Sequence, residues 1–349
     1  MGTMADSPRP PLVLAAPDAF KGTASAPVVA AAMAVGAKAL SWDCDQCPLS
    51  DGGEGFADLL ASAGPADQED PGRWMETTVT GPLGAPVSAR WFLRGREAVI
   101  ESAAASGLPL AGGPAGNDPL AATTRGTGEL IAAAVAAGAR RVLVGVGGSA
   151  TTDGGLGAVE AIDEAGGLDG VEVLVACDVQ TSFVDAAASF GPQKGATPDQ
   201  VEILRHRLED LAVSYRARSG LDLTSLTSAG AAGGLGGGLA VLGATLVPGF
   251  DVVAGAVDLK ARLARADLVI TGEGRLDASS WSGKVVGGVR LLARRTGVPV
   301  LVVAGAVGPG GSVRGLEVLD LSARYGQARS LDDPAGCVAD AVGEALNHL

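Results

Sequence analysis

The stretch "ADLVITGEGRLDASSWSGK", Ala266 to Lys284, runs as an apolar strand (Leu268 to Thr271) into a glycine-broken loop carrying Glu273, Arg275, Asp277 and Lys284. An apolar run without polar alternation suits a strand covered on both faces, as in a parallel sheet flanked by helices. The design recurs. Leu12 to Ala16 leads into "PDAFKGT" with Asp18 and Lys21, and Arg141 to Val146 leads into "GGSATTDGG" with Gly147, Gly148, Ser149, Thr151, Thr152 and Asp153. Val171 to Ala176 is followed by Asp178, Val300 to Ala304 is a further apolar run, and "CPLSDGGEGF" sets Asp51 and Glu54 ahead of a helix. Longer helical stretches separate these runs, the alternation of an α/β protein.

Glu76 to Glu101 differs, with three β-rich pieces divided by Gly-Pro and Arg-Gly turns, and reads as an antiparallel meander. Composition shifts at "SAGPADQEDPGRW" (Ser62 to Trp74) and near "LVPGFD" (Leu246 to Asp251), as at crossings between domains. The expected fold is therefore two-domain α/β. A flavodoxin/Rossmann-like parallel-sheet domain takes residues 11–66 plus 250–349, and a second mixed α/β domain with the meander is inserted at 72–247. Thr197 is the expected N-cap of a helix that Gln200 boxes and Gly220 ends, with His206 on its solvated face.

Composition narrows the function. The chain has 349 residues, a 47% hydrophobic fraction with few aromatics, 53 glycines and a formal net charge of -13, which disfavours nucleic acid and anionic membranes as partners. The uncharged run Ser228 to Phe250 is too broken by glycine for a membrane span, and "MGTMADSPRPP" lacks the apolar region of an export signal, so a cytoplasmic protein, monomer or homodimer, is expected. Cys44 and Cys47 have no second pair at zinc spacing and read as structural thiols.

Carboxylates gathered beyond strand ends repel one another unless a cation shares the space. Mg²⁺ carrying nucleotide phosphates fits, because it needs only one or two carboxylates beside the phosphate oxygens. No P-loop is present: Lys284 follows Gly283, but Ala278 stands where the first glycine belongs. Gly145-x-Gly147-x-x-Ala150 approximates a dinucleotide fingerprint and leaves an NAD-dependent oxidoreductase as the alternative, beside a non-catalytic ligand-binding paralogue.

"APDAFKGTASA", "PLSDGGEGF", "TRGTGELIAAAVAAGARRVLVGVGGSATTDGGLG", "FGPQKGAT", "AGAAGGLGGGLAVLGATLVPG" and "DLVITGEGRLDASSWSGK", in this order, resemble the signature blocks of type I glycerate kinases. The resemblance implies a bilobed α/β kinase that moves the γ-phosphoryl group of ATP to D-glycerate, with 2-phosphoglycerate as the usual product. The chain departs from the family pattern after Asp178, where "QTSFVDAAASFGPQKG" replaces an Asp-Asn-Pro-Leu turn.

Phosphoryl transfer asks for charge neutralisation and alignment, which assigns expected roles. Asp153 and Asp178 hold Mg²⁺; Asp277, then Asp51, takes the acceptor proton; Lys21, Lys284 and Arg275 neutralise anionic oxygens. Asp18, Gly147, Gly148, Ser149, Thr151, Lys194 and Glu273 complete the substrate- and nucleotide-binding set, Lys194 as part of an anion site before the capped helix.

Overall fold

The computed structural model describes residues 9–63 and 70–348. The N-terminal reading of residues 1–8, and the middle of the first expected domain crossing (64–69), lie outside the described residues. The chain divides into two compact units, Met1–Ser50 with Ala254–Leu349, and Asp51–Val253.

In the first unit, β1 (Leu12–Ala15), β2 (Asp43–Gln46), β9 (Leu268–Leu276), β10 (Val300–Val307) and β11 (Glu317–Asp320) form one parallel sheet in the order β11-β10-β9-β1-β2. Counted within the unit, this is the 2-1-3-4-5 order of doubly wound flavodoxin-like sheets. Register places Val13 beside Leu268 and Ala15 beside Ile270, so their apolar faces are covered together. On one face the helices Ala26–Ala39 and Pro334–Leu346 bury Val29, Met33, Val338 and Val342 against Val13, Ile270 and Val303. On the other, Val286 of the helix Val285–Thr296 packs on Leu276, Val302 and Ala304. Burial on both faces explains why these strands read as unbroken apolar runs.

The second unit holds β3 (Arg73–Thr80), β4 (Pro86–Arg94), β5 (Glu97–Glu101), β6 (Arg141–Gly145), β7 (Glu172–Ala176) and β8 (Thr245–Val247), ordered consecutively. β3, β4 and β5 are the antiparallel meander; β5 to β8 run parallel. Trp91 is fully enclosed, and its indole N–H donates to Thr77 Oγ1 at 3.0 Å, which removes the cost of burying that donor. The helix Pro198–Ser219 carries the Thr197–Gln200 capping box and ends at Gly220 in the left-handed conformation.

Two expectations are corrected. Residues 51–62 belong with the second unit, not the first: the helix Phe56–Ser62 buries Phe56 and Leu60, and its Ala57 N–H donates to the Glu101 carboxylate at 2.8 Å. Residues 250–253 likewise fall in the second unit, where Phe250 and Val253 are buried. The strands β2, β8 and β11 escape the apolar-run criterion because each lies at a sheet edge, and β2 reads "DCDQ" with no apolar face.

Candidate active site

In a doubly wound sheet, ligands bind beyond the carboxyl ends of the strands where the strand order reverses. In the first unit that point lies between β1 and β9, whose carboxyl ends carry Asp18 to Lys21 and Glu273 to Lys284; β9 runs on past the expected end at Thr271 to Leu276, paired with β10, so Glu273 and Arg275 sit on the strand and the loop begins at Asp277. A cavity of about 400 Å³ opens there, lined by Lys21, Arg275 and Lys284 and by Glu273 and Asp277. Its floor is backbone: a Cβ on Gly305 would stand 2.5 Å from Gly274 O, so only glycine lets β10 approach β9 this closely at the site. Asp18 is buried beneath, with its N–H donating to Gly272 O at 2.8 Å and its carboxylate accepting from Ala19 N at 2.7 Å.

The two cavity carboxylates differ in character. Asp277 caps the short 3-10 turn Ala278–Trp281, where its Oδ1 accepts from Ser279 N–H at 2.8 Å and Ser279 Oγ at 2.7 Å. The Lys284 ammonium donates to the same hydroxyl at 3.0 Å, turning the hydroxyl proton toward Asp277. These hydrogen bonds, with smaller help from Lys284 and Arg275, hold Asp277 below the ordinary aspartate value. Glu273 behaves oppositely. Burial raises it, against the Ser280 hydroxyl and the Lys284 and Lys21 charges, while Asp277 adds to the rise. Its Oε1 is buried and accepts no hydrogen bond.

The far wall was not anticipated. Ser322, Gln327, Ser330 and Leu331 line it, from the helices after β11. Ser322 Oγ donates to Gly305 O at 2.6 Å and contacts Ser330 Oγ at 3.0 Å. Only the hydroxyl-rich "LSARYGQARS" hints at this wall, and without β11 nothing aligns it with the cavity.

Most of the remaining expected residues lie in the second unit. Lys194, expected as part of an anion site before the capped helix, is 3% exposed, and its ammonium donates to Ser149 Oγ at 2.9 Å and Thr151 O at 2.5 Å. Burial pushes it down to about 7, against the pull of Asp153. Asp153, expected at Mg²⁺, is instead enclosed by donors: Thr124 N and Oγ1 at 2.8 Å each, Gly155 N at 3.1 Å and Gly157 N at 3.3 Å. It anchors the starts of two helices, Arg125–Ala136 and Leu156–Glu164. Asp178 accepts from Gly249 N at 2.9 Å beyond the carboxyl end of β7. Asp51 Oδ1 accepts from Gly53 N at 3.2 Å, and Glu54 is exposed. Among the described residues no group of three or more His, Cys, Asp or Glu could hold a metal ion.

The dinucleotide fingerprint is not realised. After Gly145 no helix begins until Leu156; instead Gly148 O accepts from Leu108 N, and Ala150 N donates to Ser106 O. A Cβ on Gly147 would stand 2.5 Å from Gly53 Cα, so this glycine admits a neighbouring loop. The chain after Asp178 also folds inward: Phe183 is fully buried, and Thr181 O accepts from Gly230 N. Burial lifts the Cys44 and Cys47 thiols to about 11.

Sequence comparison agrees with the blocks around these loops. The profile of the Glycerate kinase family matches residues 13–166 and 163–341. The chain belongs to the glycerate kinase family. It is 42% identical over 331 residues to the glycerate kinase of Bacillus subtilis (strain 168), covering 84% of this chain and 85% of the relative. The glycerate 2-kinase of Escherichia coli (strain K12) is 39% identical over 332 residues, with 84% and 85% covered. A crystal structure from Salmonella typhimurium LT2, assigned as a glycerate kinase 2, superposes with a TM-score of 0.74 at 35% identity, covering 98% of this chain and 100% of that one. For this family member no described helix is long and apolar enough to cross a membrane.

Proposed function

We propose that the protein transfers the γ-phosphoryl group of ATP to a hydroxyl of D-glycerate, giving 2-phosphoglycerate. The observation that carries this reading is the cavity at the β1/β9 switch point, where Lys21, Arg275 and Lys284 meet Glu273 and Asp277 in a chain of this family. Three cations suit an anionic ligand, and the planar fork of Arg275 suits a carboxylate or phosphate held through two parallel hydrogen bonds. Phosphoryl transfer needs little covalent chemistry from the protein beyond this positioning and charge stabilisation.

Mg²⁺ enters the reading with the nucleotide, and its chemistry when bound is to neutralise phosphate oxygens. With the Asp153 oxygens surrounded by N–H and O–H donors, Asp178 is the residue assigned to hold it, and one carboxylate beside phosphate oxygens meets its needs. In this assignment Lys194 and Asp153 shape the second unit from within.

The test is a coupled ADP-release assay with D-glycerate, L-glycerate and related hydroxy acids, followed by phosphorus NMR of the product. Turnover dependent on D-glycerate with 2-phosphoglycerate formed is the expected result. ADP release that no hydroxy acid stimulates would remove the reading, and 3-phosphoglycerate would correct its regiochemistry.

A further inference from the structure

The cavity contains one carboxylate oxygen that its own fold leaves without a proton donor. Glu273 Oε1 is buried and accepts no hydrogen bond, although Ser279 and Lys284 donate nearby to other atoms and the Ser280 hydroxyl bonds to the carboxylate elsewhere. Ser280 Oγ takes the Asp277 N–H, and Ser279 satisfies Asp277 instead. A buried acceptor left open forfeits its hydration without compensation, and such a cost at a cavity wall points to a partner that arrives with the ligand.

We propose, on the kinase reading above, that Glu273 rather than Asp277 is the general base that accepts the proton of the glycerate hydroxyl. As the hydroxyl oxygen forms its bond to the γ-phosphorus, its O–H bond breaks and the proton passes to Glu273. The bond from the γ-phosphorus to the bridging oxygen breaks, and that electron pair leaves with ADP. Glu273 then releases its proton to solvent. Asp277 holds the 3-10 turn that places Lys284.

The charges facing Glu273 are Lys21 from the loop after β1, Arg275 on its own strand, Asp277 capping the 3-10 turn that follows, and Lys284 at the start of the helix Val285–Thr296. On β10 its register partner is Ala304, which carries no charge. A carboxylate raised by burial is a stronger proton acceptor near neutrality than one held down by hydrogen bonds, and the directions at Glu273 and Asp277 are opposite. The acid limb of kcat/KM for wild-type enzyme is expected above the ordinary glutamate value.

The experiment compares wild type, Glu273→Gln and Asp277→Asn in kcat, in KM for D-glycerate and ATP, and across pH. Carbon-13 NMR of labelled glutamate carboxyls follows Glu273 in the unliganded protein. Glu273→Gln is expected to lower kcat by about 10²- to 10⁴-fold with both KM values little changed and the acid limb abolished. Its circular dichroism should match wild type, and a glutamate resonance titrating above the ordinary range should vanish in the variant. Asp277→Asn should keep the acid limb. An active wild type whose Glu273→Gln variant keeps its kcat and acid limb, or an acid limb lost only in Asp277→Asn, overturns the assignment while leaving the kinase reading intact. A wild type that phosphorylates no hydroxy acid overturns both.

Discussion

A single lysine illustrates how far burial alters a residue. Lys194 sits in the core of the second unit with its ammonium on Ser149 Oγ and Thr151 O, and its value falls from 10.5 to about 7. The unfolded chain binds this proton up to about 10.5, whereas the folded chain gives it up near 7. Between these limits the unfolded state holds more protons, so stability rises with pH, and the full penalty of the buried charge applies below 7. Thermal midpoints of wild type should therefore climb from pH 7 to pH 9 more steeply than those of Lys194→Met. Equal slopes would show that Lys194 titrates normally. From sequence it resembles any lysine before a helix, because nothing local reports that Ser149 and Thr151 enclose it.

Between strands, backbone proximity governs the site. Gly305 on β10 approaches the Gly274 backbone on β9 this closely because it has no side chain, while the bare face of Gly274 admits Phe20 and Lys21 of the loop after β1. Gly305→Ala forces the strands apart, and an overpacked contact of this kind costs about 1–3 kcal/mol. The expected outcome is a lower denaturant midpoint together with a raised KM, since Glu273 and Arg275 flank Gly274 on β9, the strand that the added methyl pushes away; an unchanged KM would separate the floor from the site. At the helix Pro198–Ser219, Thr197→Ala removes one side of the capping box and should cost ~1 kcal/mol, read as a shifted midpoint with activity retained. This cap was legible from sequence because capping is decided within four residues. The wall at Ser322 and Ser330 was not, because it depends on an edge strand with a weak pattern.

For the whole molecule, the division into units follows where apolar surfaces find partners. Asp51–Val253 is one continuous segment with its own six-stranded sheet and core, whereas the first unit needs both chain ends. A fragment of residues 51–253 should unfold cooperatively by circular dichroism, as expected of a domain with its own core. A broad, non-cooperative melt would mean that its core is incomplete alone.

The residues themselves determined the covered parallel strands, the meander, the capped helix and the family, since each is written in contiguous patterns of side-chain type. Tertiary structure alone decided which acid became a capping group and which kept an open oxygen. It also decided that Lys194 and Asp153 turn inward and that two glycines form a cavity floor. Proton affinity and access depend on neighbours brought from distant positions in the chain, and desolvation and hydrogen bonding act only once those neighbours are in place.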